Sequence, residues 1–555
     1  MVVLNFLFLF FACANGLSDY PFPDNFSFGT GISAYQTEGA ESESNKGETI
    51  WDYAIKQNAS IIEDGTNAEN ADLTFYSYFD EDIDQMVKMN ISHFKLSIAW
   101  SRIFPEGVFK DEIEVITGVG HYQTQIKKLL KNNITPIVTL YHWDLPEIIQ
   151  EWGGWTNASN IDIFVDYARK IFPYLFNVNY FITFNEPKQI CKSGYGDGTL
   201  APFIKKSGVL DYQCAYNVLK AHAAVYRMYQ KEFASKMNAK ISIALDGSWS
   251  QPKTDSDADK KAAERRNHFE FGLYANPIIN GDWPQEVIDR VKERSEKEKL
   301  KHSRLPAFTK EEKADIKGSI DFMALNYFDT RIVADSKEAD YKTSSYANDM
   351  KVEISANPDW PVDAAGNTIV PSGLRSFLKY IKENYGDPEI LITGNGFADD
   401  GTTHDGDRVT HLSNYLSNVV DAIHEDKVNV VGYTYWSLLD SFEWTKGYKP
   451  HYGLYSVNLS WDNVTRISKR SVKYYSLVIL ERKVVNPADL TSTTSTTSTT
   501  TSTSTESTEI TSTSTESTEI TSTSTEPSEV TTPARGDCIF MSTGVIMFAL
   551  LLQLL

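Results

Sequence analysis

The 555-residue chain predicts one α/β domain, a (β/α)8 TIM barrel, followed by a disordered Ser/Thr-rich stalk. Three observations carry that expectation. Eight short runs rich in β-branched and aromatic residues alternate with longer helix-like stretches, and eight is the number of parallel strands that closes such a barrel. Nothing inside residues 17–487 has the composition of a linker, so the body reads as a single domain. From 491 to about 532 the composition collapses to Thr, Ser and Glu, with the ten-residue repeat TSTSTESTEI, TSTSTESTEI, TSTSTEPSEV, which has no apolar surface to bury against its ordering entropy.

The strand candidates are 26–29, 93–98, 136–140, 180–184, 240–245, 322–326, 389–393 and 430–435. Each has the length of a strand and carries β-branched or aromatic residues. Helical patterns at 78–89, 123–131, 163–176, 212–233 and 374–385 lie between them.

The ends have other chemistry. Residues 1–16 hold an apolar run, Val2 to Ala12, and then Ala14-Asn15-Gly16, small residues where a signal peptidase reads, although no basic residue precedes the run. A cleaved secretory signal is expected. Asn-x-Ser/Thr sequons at Asn25, Asn58, Asn90, Asn133, Asn157, Asn458 and Asn463 fit a secreted glycoprotein. After the stalk, 488–533, residues 534–555 end in an apolar tail, Val545 to Leu555, with no basic flank. A short tail of this kind fits a GPI-attachment signal better than a plain hydrophobic anchor, and places the body at the cell surface. Cys13 and Cys538 fall in these terminal segments, leaving Cys191 and Cys214 either as a disulfide or as two separate buried thiols. A net charge of -21 argues against nucleic acid as a partner.

In a parallel barrel the chemistry sits at the C-terminal ends of the strands. In chain order those ends offer Lys95, His142-Trp143, Asn185-Glu186, Asn326-Tyr327-Phe328, Gly394, and Trp436 with Glu443-Trp444. Amides and carboxylates bond hydroxyls, and indole faces stack on the apolar face of a pyranose, so the set points to a carbohydrate ligand. No cofactor and no metal is expected.

With these residues in view, the body resembles family 1 of the glycoside hydrolases, the retaining β-glycosidases, from Phe22-Pro23 to about Leu477. The resemblance rests on Phe28-Gly29 with Ser33-Ala34-Tyr35-Gln36-Thr37-Glu38-Gly39-Ala40, Trp100-Ser101-Arg102-Ile103-Phe104-Pro105, Tyr141-His142-Trp143-Asp144-Leu145-Pro146, Thr183-Phe184-Asn185-Glu186-Pro187 and Trp436-Ser437-Leu438-Leu439-Asp440-Ser441-Phe442-Glu443-Trp444. It implies the same barrel. It also implies that Glu186 is the acid/base, that Gln36, His142, Asn185, Glu443 and Trp444 contact the terminal sugar's hydroxyls, and that Trp436 lies under the ring.

The family's nucleophile is the Glu of an Ile/Val-Thr-Glu-Asn-Gly motif, which here reads Ile392-Thr393-Gly394-Asn395-Gly396. A retaining mechanism needs a carboxylate about 5 Å from the acid/base, and glycine has none. The Arg and Tyr that support that nucleophile in the family are matched here by Lys95 and Phe328, with Tyr327 as the alternative if the strand register slips by one. The Trp that the family places between Trp360 and Pro371, on the aglycone side, has no counterpart.

Without a carboxylate at Gly394, Glu186 is expected to be ionised at pH 7 unless burial holds it neutral, and Lys95 to pair with Glu186 or a bound anion. Three readings follow: a glycoside-binding pseudoenzyme, a weak or mechanistically altered β-glycosidase, and a surface interaction protein.

Overall fold

The computed structural model describes residues 16–39, 46–67, 76–336, 343–458 and 465–490. The signal, anchor and Thr/Ser-repeat expectations, and Asn463, fall outside these residues.

Nine strands form the main sheet: β1 Ser27–Gly31, β2 His93–Ser97, β3 Thr135–Tyr141, β4 Tyr180–Asn185, β5 Lys240–Pro252, β6 Met323–Asp335, β7 Val352–Ser355, β8 Ile390–Asn395 and β9 Val430–Trp436. The order β5-β4-β3-β2-β1-β9-β8-β6 closes through a β5–β6 pairing, giving a ring of eight parallel strands. All eight expected strands are present. β7 is an addition, paired antiparallel to the outer end of β6. Ile137, Ile182, Ala244, Ala324 and Leu391, drawn from five strands of the ring, form with Phe322 a buried cluster separate from the main core. The main core draws on both the strands and the surrounding helices.

The helices start and stop where their sequences say they should. Pro371 opens Pro371–Tyr385 and Gly386, with φ of 81°, ends it. Helix Glu112–Lys131 is capped by Asp111, whose side chain accepts from the Glu114 backbone N–H at 2.9 Å. It is eleven residues longer at its start than the 123–131 pattern suggests. Two weak helix formers, Gly118 and Gly120, obscure that first half. Gly118 is needed for packing, since a Cβ there would stand 2.4 Å from the Arg102 carbonyl oxygen. At the other end of the body, residues 487–490 form a helical turn and Leu490 is buried, so packed structure runs three residues past 487.

Cys191 and Cys214 are joined as a disulfide, tying the segment Gln189–Gly196 to helix Leu210–Glu232. The sequon residues Asn25, Asn90 and Asn133 immediately precede β1, β2 and β3 and line one groove at the N-terminal end of the barrel.

Candidate active site

A pocket of about 470 Å³ opens at the C-terminal ends of the strands. Gln36, Lys95, His142, Asn185, Glu186, Asn326, Phe328, Gly394, Trp436, Glu443 and Trp444 all line it. They come together because the ring places the ends of β2, β3, β4, β6, β8 and β9 around one mouth. Ladder irregularities at Ile182/Asn185, Leu325/Asn326 and Ile392/Asn395 fall at three of those ends and re-aim the side chains there. Trp143, Glu186 and Trp444 adopt left-handed backbone, with φ of 73°, 55° and 55°, a conformation held only where surrounding structure enforces it. For Glu186 part of that enforcement is its own N–H, which donates to the Ala244 carbonyl at 2.8 Å.

Asn185 organises the centre. Its Oδ1 accepts from Lys95 Nζ at 2.9 Å and from Asn326 Nδ2 at 3.1 Å, both pure donors. That orients its Nδ2 toward His142 Nε2, 3.1 Å away, so the His142 proton is assigned to Nδ1. His142 Nδ1 has no protein partner. Burial, with the charge of Lys95 nearby, holds the ring far below the usual imidazole range, so it is neutral.

Asn326 is the second organiser. Its Nδ2 donates to Glu186 Oε1 at 2.6 Å and its Oδ1 accepts from Thr393 Oγ1 at 2.7 Å. A Cβ on Gly394 would stand 2.9 Å from that Oδ1. The backbone of Gly394 does not require glycine, because its φ is not positive; Gly396 does, since a Cβ there would stand 1.9 Å from the Trp436 carbonyl oxygen.

Glu186 is not a free carboxylate. Burial, reinforced by the charge of Asp246, pushes it up to about 7, against the Asn326 hydrogen bond and the cations Lys95 and Lys188. The condition attached to its expected ionisation is therefore met, and near neutrality it is present in both forms. Lys95 is correspondingly pulled down to about 8, by burial first, with Glu186 opposing. It makes no contact ion pair with Glu186. Its ammonium donates to Asn185 and, at 3.2 Å, to the Thr393 carbonyl, and lies 5.6 Å from the centre of the Trp436 ring. Desolvation raises Glu443 to about 8, against hydrogen bonds from Ser441 and Gln36.

Phe328 and Tyr327 occupy different places. Phe328 lines the pocket, whereas Tyr327 is buried behind it with its hydroxyl 2.7 Å from Thr330 Oγ1. Aromatic rings form the wall: Trp444 lies 4.6 Å from Trp143 and 5.0 Å from Trp51, centre to centre.

Sequence reasoning missed a charged wall made of Lys188, Lys192, Asp246, Arg266 and Glu270, all lining the same pocket. A signal for part of it existed. The 240–245 run supplied no rim residue, yet β5 continues through Asp246 to Pro252, and Lys188 and Lys192 follow Glu186 four residues apart.

Comparison with known proteins agrees with this geometry. The profile described as "Glycosyl hydrolase family 1" matches residues 18–484. Myrosinase 1 of Brevicoryne brassicae is 39% identical over 465 residues, 83% of this chain and 99% of that protein. The lactase-like protein of Mus musculus is 37% identical over 85% of this chain and 84% of its own length. Among solved structures, an aphid myrosinase superposes with a TM-score of 0.79 at 38% identity, covering 84% of this chain and all of that one. A rice β-glucosidase does so with 0.77 at 34% identity, covering 83% and 99%. The pocket is thus the C-terminal mouth of a barrel shared with glycosidases along nearly its whole length, and the chain belongs to glycosyl hydrolase family 1.

Proposed function

We propose that this protein is a family 1 member that binds β-glycosides without retaining catalysis, because Gly394 stands where the family keeps its nucleophile. One observation carries the reading. The space in front of Gly394 is taken by the Asn326 amide, which bonds Glu186 at 2.6 Å, so the carboxyl faces an amide where a covalent partner would have to be. Lys95 and Phe328 support the same reading, since each stands where the family has a residue that contacts the nucleophile. Around them the hydroxyl-binding set is intact: Gln36, His142, Asn185, Glu443 and Trp444 line the pocket with Trp436.

Calorimetry with a β-glucoside, alongside a hydrolysis assay on an aryl β-glucoside, tests this directly. Binding that is weakened by Glu443→Ala, with no turnover above the uncatalysed rate, supports it. Turnover abolished by Glu186→Gln refutes it and favours a second reading, an altered β-glycosidase. A specific feature speaks for that alternative: Glu186, at about 7, remains able to donate a proton near neutrality, and Asp246 provides another carboxylate in the same pocket.

The same proposal places the binding pocket outside the cell, on a Thr/Ser-rich stalk held by a lipid anchor. Release of the protein from intact cells by a phosphatidylinositol-specific phospholipase C is the expected outcome. Retention after complete enzyme treatment would mean a hydrophobic anchor instead.

A further inference from the structure

The charged wall missed by sequence reasoning is unbalanced. Lys188 bridges Asp246 at 3.0 Å and Glu270 at 3.4 Å, and Lys192 reaches Glu270 at 2.8 Å. Those two lysines and two carboxylates neutralise one another. Arg266 is left over. It is only 5% exposed, yet among the described residues no carboxylate is within ion-pair range. Its Nη1 and Nη2 donate to the uncharged hydroxyls of Ser250 and Ser248, at 2.9 and 3.2 Å, and its Nε has no partner. A permanent cation held out of water with only neutral acceptors is destabilised unless an anion arrives.

The surroundings favour an anion from outside. Ser248, already accepting from Arg266, keeps its own O–H to donate, and Lys192 is partly exposed toward the same cavity. Burial alone would raise the Glu270 carboxyl, yet Lys192, Lys188 and Arg266 hold it far below the usual range, so Arg266 is within electrostatic reach of Glu270 without a contact ion pair to it. This wall comes from β5, from the helix Asp257–Asn267 and from the segment just after Glu186. It is separate from the residues proposed to hold the sugar hydroxyls.

We propose that Arg266, with Lys192 and Ser248, forms a subsite for a single oxyanion, a carboxylate or sulfonate-like group, carried on the aglycone of the bound glycoside. This rests on the glycoside-binding reading above and adds the chemical class of the aglycone. Arg266 supplies the buried charge, Lys192 a partly exposed ammonium at the cavity surface, and Ser248 a neutral donor.

Calorimetry on the full-length protein with phenyl β-D-glucoside, 4-carboxyphenyl β-D-glucoside and 4-sulfophenyl β-D-glucoside tests the subsite. The anionic ligands should bind about tenfold or more tighter than the neutral one, the scale of one charge-assisted hydrogen bond. That ratio should shrink as salt rises. Arg266→Gln should bring the ratio close to one. Because a buried Arg can be needed for folding, Lys192→Gln, at a more exposed position, is the second variant and should reduce the ratio several-fold. Equal affinities in the unmutated protein overturn the subsite while leaving glycoside binding intact. A ratio unaffected by both substitutions also overturns it. Absence of binding by all three glucosides refutes the glycoside reading and the subsite with it.

Discussion

Asn326 Nδ2 lies 2.6 Å from Glu186 Oε1, while Asn326 Oδ1 would lie 2.9 Å from a Cβ on Gly394. A single amide therefore spans from Glu186 to Gly394. It favours the ionised form of Glu186, opposing the burial that raises its pKa. Asn326→Ala should raise Glu186 above about 7 by on the order of one pH unit. Glycoside affinity should fall by about tenfold. Carbon NMR titration of labelled Glu side chains reads the first effect, and an unchanged Glu186 midpoint would show that the amide does not tune it.

On the proposed reading, a carboxylate placed at Gly394 alone should not produce an efficient glycosidase. In Gly394→Glu the new side chain meets the Asn326 amide and finds Lys95 already committed to Asn185 and the Thr393 carbonyl. Loss of a nucleophile lowers kcat by about 10⁴ or more in well-studied hydrolases. The single variant should regain less than about a hundredth of that, and Gly394→Glu with Lys95→Arg and Phe328→Tyr about a hundredfold more than the single change. Full activity in the single variant would show that Lys95 and Phe328 are irrelevant to the loss.

Asp144 offers a clean test of how burial writes pH into stability. It is 1% exposed, its Oδ2 has no partner, and burial raises it from 3.8 to about 7. Between those values the unfolded chain has released this proton and the folded one keeps it. Stability is therefore lost as pH rises from about 4 to about 7, by on the order of 4 kcal/mol for this group. Asp144→Asn cannot ionise, so its melting temperature should match the unmutated protein near pH 4 and exceed it at pH 8. A gap that is constant across that range would contradict the assignment.

The disulfide closes a short loop, Cys191 and Cys214 being 23 positions apart in sequence. Replacing both with Ala should lower stability by about 2–4 kcal/mol in denaturant titration. Lys192 is the neighbour of Cys191, so any preference for anionic glucosides should weaken in the same variant. A stability change below about 1 kcal/mol would show that packing alone holds the segment.

Much of this was readable from the chain because a parallel barrel makes its strands legible. Short strands recur between longer helical patterns, and their C-terminal residues are the mouth of the pocket, which makes Lys95, His142, Asn185, Glu186, Asn326, Gly394 and Trp436 readable. The charged wall was not legible for the complementary reason. Lys188, Asp246, Arg266 and Glu270 lie on three separate segments whose only common property is the fold that brings them together. β7 was missed because it is short and mostly exposed, without the apolar pattern that betrays a buried strand. The protonation of Glu186 depended on depth of burial, which no local spacing encodes.

The aromatic wall has a practical consequence. Trp444 sits 4.6 Å from Trp143 and 5.0 Å from Trp51, near enough for their excited states to mix. Coupled indoles in fixed, tilted geometry give strong near-ultraviolet circular dichroism whose sign and size follow their mutual angle. A ligand that displaces Trp444 by a fraction of its contact distance should change that spectrum. The pocket thus carries an optical reporter of ligand binding in its own wall.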